Sequence, residues 1–140
     1  MGQLTLYTRG IVNLLGSRPQ ATLEDMNSAE ALSPLDPLIA PLLAGRGLAE
    51  LSLGRIDDAV LTTEHAAIKA RAHHIAMYPA VIANAMAGDL KRSSKWCEAV
   101  LSKRPDSTCA AFFSALPFRD ENLIRTFRTA LVSSGMPEGD

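Results

Sequence analysis

Apolar residues recur along this chain at three- and four-residue spacing, and glycine-containing turns interrupt them at intervals. Strict polar–apolar alternation, the mark of a half-buried strand, is scarce. In "LSLGRIDDAVLTTEHAA", residues 51–67, an apolar helix ends at Gly54 and a second, amphipathic helix begins at once. Ile56, Ala59, Thr63 and Ala66 lie along one face of that second helix. Counting from Gly88, the same offsets carry Leu90, Ser93, Cys97 and Val100, with Pro105 closing the run. Counting from Ser17 they carry Pro19, Thr22, Met26 and Ala29, and Pro34 ends that copy.

Gly54 and Gly88 are 34 residues apart, and Ser17 precedes Gly54 by 37, so the linker around "LSPLDPL" carries about three extra residues. The pattern predicts first helices over about Leu4–Leu15, Pro37–Leu53 and Ile75–Ala87. Second helices follow over about Ala21–Ala31, Ile56–Arg71 and Lys91–Lys103. Gly10 and Gly47 hold the same place in their first helices, and Val81 stands there in the third. A mid-helix glycine costs about 1 kcal/mol relative to alanine, so its recurrence predicts close helix–helix approach. Pro79 lies inside or at the first turn of the third first helix, where an interior proline costs about 3 kcal/mol. That helix is therefore kinked or begins near Tyr78, and a late start would take Ile75 off the first-helix face. The closing "SALPFRDENLIRTFRTALVSSGMPEGD" offers Asp120 as an N-cap, runs Leu123, Ile124, Phe127 and Leu131 along one face, and stops at Ser134-Gly135. It predicts a helix over about 119–134 that caps the open end of the last repeat.

Composition sharpens this picture. A chain of 140 residues is one domain, 1–140. Aromatic residues are only 5%, so alanine and leucine supply the bulk, which favours helices packed through small side chains. The formal net charge of −1 leaves no basic stripe to neutralise a phosphate backbone, which argues against nucleic acid as a direct partner. Ile11–Leu15 is too short an apolar run for a secretory leader, and nothing approaches a membrane span. Leu6 stands where a myristoylation motif starting at Gly2 needs Ser or Thr. The expected location is cytoplasmic, with Cys97 a reduced core residue.

Catalytic chemistry is not in evidence. His73 and His74 are adjacent, so on a helix they diverge by about a hundred degrees and do not share one ion, and His65 has only Glu64 beside it. Asp57 and Asp58 are better placed as helix-start residues facing the N-terminal dipole than as a catalytic pair. Ser93, Ser94 and the thiols lack a histidine at helical spacing, and "LAGRG" lacks the lysine of a phosphate loop. Arg18, Arg55, Lys91 and Arg92 fall at or just after the turns and read as a solvated basic edge. No cofactor or metal is expected.

With its period near 34 and small residues at fixed places, the chain resembles the tetratricopeptide repeat, a helix–turn–helix unit that buries its apolar face by stacking on neighbours. The aromatic residues usual in that motif are mostly Ile, Leu or Thr here. The resemblance implies an all-α, right-handed α-α superhelix of three hairpins, about 3–34, 37–71 and 74–105, plus the capping helix. Three segments, "AEALSPLDPL", "LGRIDDAV" and "LPFRDENLIRTFRTALVSSGMPE", are similar to the C-terminal helical-repeat regions of bacterial regulators that also carry an adenylate cyclase or winged-helix domain. This chain would then be a fragment of such a regulator or a free-standing relative.

In tetratricopeptide arrays the first helices line a concave groove. Aligned here, the groove residues are Leu4, Tyr7, Ile11 and Leu14, then Ala44, Leu48 and Leu51, then Tyr78, Ile82, Ala85 and Met86. The Lys, Arg and Asn of a carboxylate clamp are missing from these places. The implied function is a non-catalytic protein-interaction or self-association scaffold in a regulatory system, with a protein partner or a second copy (a homodimer) on the groove. The alternative is a sensory domain that holds a small apolar or amphipathic ligand there.

Overall fold

The computed structural model describes residues 1–32, 38–69 and 73–140, and all regular structure among them is helical. Helices α1 (Gln3–Leu15) and α2 (Pro19–Leu32) make the first hairpin, and α3 (Ile39–Ser52) and α4 (Ile56–Lys69) the second. The third has a 3₁₀ turn (His74–Met77) leading into α5 (Tyr78–Met86), then α6 (Leu90–Lys103). Two more helices follow, α7 (Cys109–Ala115) and α8 (Glu121–Ser133). Pro34, Pro37 and Arg71, named above as helix or repeat ends, lie outside the described residues.

Each first helix packs on its own second helix, α2 and α4 pack on the next first helix, and α1 meets α3 as α3 meets α5. The hairpins therefore stack in sequence order. Their turns share one backbone device. Ser17, Gly54 and Gly88 adopt φ of +64°, +76° and +85°. At each, the turn residue's N–H donates to the carbonyl three residues back, and the next N–H donates five back, to Asn13, Glu50 and Asn84. These bonds satisfy carbonyls left open at the helix end. Gly135 ends α8 in the same way, with Met136 N–H on the Leu131 carbonyl at 3.0 Å.

The recurring mid-helix glycines do mark close approach. A Cβ on Gly10 would stand 2.9 Å from Met26 Cε, and one on Gly47 would collide with Thr63 Cγ2. Val81, at the third such place, is fully buried. Pro79 falls in the first turn of α5, where its missing N–H costs nothing, so the helix starts at Tyr78 and is shorter than the pattern suggested.

Helix α8 packs against α5. The Asp120 carboxylate caps it, accepting from Asn122 and Leu123 N–H at 2.9 and 3.1 Å. Ser134 Oγ bonds Ser93 Oγ at 3.0 Å, pinning the end of α8 to α6. The segment between α6 and α8 is more than a linker. Thr108 caps α7 through Ala111 N–H, and the tail is held on its first turn, with Cys109 and Ala110 N–H donating to the Pro137 and Glu138 carbonyls at 2.8 and 2.9 Å.

Candidate functional site

The faces of α1, α3 and α5 that point away from their second helices form one surface, and the chain's own C-terminal part crosses it. On the α5 side, Tyr78 stacks on Phe112 at 5.2 Å between centroids. Phe118 follows at 6.3 Å from Phe112 and meets Phe127 edge-on at 5.5 Å. All four rings are buried, and each favourable pair adds about 0.5–1.5 kcal/mol beyond the area it covers. The Tyr78 hydroxyl donates to the Thr108 carbonyl at 2.8 Å. One residue past Phe118, Arg119 N–H donates to the Leu15 carbonyl at 3.1 Å, so the strap from α7 to α8 ends on α1.

Beneath that strap, between α1, α3, the 3₁₀ turn and the end of α7, the packing is incomplete. A cavity of about 370 Å³ remains, walled by Ile11, Ala40, Pro41, Ala44, Gly45, Leu48, Ile75, Ala76, Pro79, Ala115 and Leu116. That volume lies within the range of small-molecule sites. Three polar side chains also line it: Tyr7, Lys69 and His73. Burial raises the Tyr7 phenol above its usual pKa, so it stays a protonated donor at neutral pH. His73 Nδ1 accepts the Ile75 N–H at 3.3 Å, which places the proton of the neutral ring on Nε2.

The residues aligned as groove-lining do not share one exposed surface. Leu14, Leu48, Leu51, Tyr78 and Ile82 are core side chains, none more than 3% exposed, because the second helices and the C-terminal segment close over them. Tyr7, Ile11, Ala44 and Leu48 are the four that meet the cavity. Ala85 and Met86 lie instead in a shallow groove beside α8, with Arg125 and Thr129. Leu4 is 63% exposed on the outside of α1. Ile75 keeps its place in the cavity wall although it precedes α5, because the 3₁₀ turn stays against the same surface.

The other sequence candidates separate cleanly. The His73 and His74 rings stack at 5.4 Å, His65 is exposed, and no cluster of metal-ligating side chains occurs among the described residues. Asp57 and Asp58 sit in the first turn of α4. Cys97 and Cys109 are buried free thiols, and burial pushes Cys109 up to about 11, far from a reactive thiolate. Arg18, Arg55 and Lys91 are exposed, whereas Arg92 reaches Glu64.

That carboxylate was not singled out in the sequence. Glu64 on α4 accepts from Arg92 Nη2 at 2.7 Å, Trp96 Nε1 at 2.9 Å and Asn84 Nδ2 at 3.0 Å, drawing α5 and α6 onto α4. The Arg92 bond above all holds its pKa below the usual carboxylate range. Asp25 is held the same way by Arg9 and Asn13 in the first hairpin. Both carboxylates are fully partnered inside the fold, which is the arrangement of structural tethers. Glu50 differs: its Oε1 is buried with no hydrogen-bond partner among the described residues, and burial raises its pKa.

No family model matches this chain, and no curated protein is significantly similar to it. No helix among the described residues is long and apolar enough to cross a membrane.

Proposed function

We propose that the chain is a non-catalytic binding module whose recognition element is the cavity under the C-terminal strap, where it holds a small amphipathic ligand. One observation carries this reading: side chains from α1, α3, the 3₁₀ turn and α7 line a partly open pocket of about 370 Å³, largely apolar, beside the buried core. An apolar site with a few convergent polar groups is the usual build of a ligand pocket. The similarity to repeat regions of bacterial regulators supports a cytoplasmic signalling or transcriptional setting, in which an attached output domain reads occupancy. The tetratricopeptide-like architecture belongs to the same reading, since stacked hairpins supply the enclosing surface.

The test uses small apolar probes, indole and octanol, with the wild type and Ala44→Leu, which fills the cavity from α3. Calorimetric titration is expected to show one saturable site in the wild type and none in the variant. Equal binding by both proteins, or binding by neither, contradicts the reading.

A second reading, self-association or a protein partner docked on α1, is favoured by one feature. Leu4 and Val12 are 63% and 60% exposed at positions eight residues apart, on one side of the first helix. Light scattering after size exclusion tests it: a concentration-dependent dimer lost in Leu4→Lys supports it, and a strict monomer contradicts it.

A further inference from the structure

We infer that the cavity selects a small monoanion, a medium-length apolar chain ending in a carboxylate, with the head group held by Lys69. This rests on the small-ligand reading above and assigns the chemistry of its occupant. The cavity's polar lining is one-sided. Its polar side chains are Lys69, Tyr7 and His73, all hydrogen-bond donors, and no Asp or Glu lines the space among the described residues. A cationic ligand would find no counter-charge among the described lining residues. A sugar would leave its many hydroxyls facing Ile11, Leu48 and Leu116, unpaired and desolvated.

Among the described residues no carboxylate is paired with Lys69. The ion pairs among the described residues are Arg9–Asp25, Arg46–Glu30, Arg92–Glu64 and Arg104–Asp106. Its charge is therefore uncommitted at the end of α4, four residues before His73, and the two enter the cavity wall from the same stretch of chain. A carboxylate there gains a charge-assisted bond while its chain lies on apolar walls. The match is one of charge complementarity, in a volume at the small end of ligand sites.

The probes are octanoate, below its micellar concentration, and octanol, which has the same chain and no charge. Titrations use the full chain, as wild type, Lys69→Met and Ala44→Leu. Octanoate is expected to bind at least tenfold more tightly than octanol, Lys69→Met to abolish that preference while leaving octanol affinity unchanged, and Ala44→Leu to weaken both. Lys69 is exposed, so its replacement leaves the fold intact, which circular dichroism checks. Equal affinity for the two probes, unaltered by Lys69→Met, overturns the anion assignment and leaves the small-ligand reading standing. Octanoate binding that survives Ala44→Leu overturns it too, since the anion then sits elsewhere. Binding of neither probe overturns both readings.

Discussion

The two sides of the first-helix surface are finished differently. Beside α5, four buried rings from α5, α7, the strap and α8 interlock. Beside α1 and α3, among the described residues, Ala115, Leu116 and the strap that ends on Leu15 roof the same surface, and space is left underneath. The contacts between hairpins follow the same gradient. The second and third hairpins share the Glu64 carboxylate, 12% exposed, with donors from α5 and α6. The first and second share the Arg46–Glu30 pair at 2.7 Å, whose side chains are 22% and 32% exposed. A stacked array needs closure at its ends; here four rings fill one side of the surface, while aliphatic and small residues with Tyr7 line the other. The difference teaches where to look for function: the filled side sets the fold, and the unfilled side has room for a guest.

The largest expected effect comes from breaking the filled side. Phe127→Ala removes a fully buried ring from the α8 end of the cluster and is expected to cost about 3–5 kcal/mol in urea unfolding. Leu116→Ala, on the roof of the cavity, removes a partly buried side chain and should cost clearly less. Equal losses would mean that the two sides are packed alike.

The next effect concerns the tether between hairpins. Glu64→Gln is expected to destabilise the fold at neutral pH by about 1–3 kcal/mol, through weaker acceptance from Arg92. Because Glu64's pKa is lower folded than unfolded, the wild type's advantage is full above the usual carboxylate range. It fades as pH falls through the depressed value. Stability curves of the two proteins should thus converge in acid, and a constant gap would assign the loss to packing instead. Glu50 carries the opposite sign. Its raised pKa costs stability as pH rises past the usual range, so Glu50→Gln should be the more stable protein near neutrality, with the gain vanishing in acid.

The smallest effect lies at the first turn. Ser17 takes the left-handed conformation that glycine supplies at Gly54 and Gly88. That backbone costs a non-glycine residue about 1–2 kcal/mol, and glycine's extra freedom in the unfolded chain returns part of it. Ser17→Gly should therefore stabilise by about 0.5–1 kcal/mol, measured by thermal unfolding. A loss would show that the first turn is not equivalent to the other two.

Much of this architecture was legible locally. The Ser17, Gly54 and Gly88 register, the close approach at Gly10 and Gly47, and the Asp120 cap all depend on residues within a turn or one hairpin. Helix α7 was not legible, because "CAAFFSA" spans too few residues for a helical period to emerge. The partners of Glu64 lie 20 to 32 residues away, and no spacing rule joins them. The first-helix faces looked free for the same reason: only the tertiary fold carries Phe118 and Arg119 back across them. The cavity inherits that difficulty. Tyr7, Ile11, Ala44 and Leu48 were marked as groove residues, but Lys69 and His73 line the same space only in the tertiary fold.

The most direct test of the central claim is a methyl-detected NMR titration with octanol, following Ile11, Ala44, Leu48, Ala76 and Leu116 against Ala130 and Leu131 on the buried face of α8. The account predicts saturable shifts confined to the cavity methyls, with the α8 methyls unmoved. Shifts at Leu4 and Val12, or none at the cavity methyls, would contradict it.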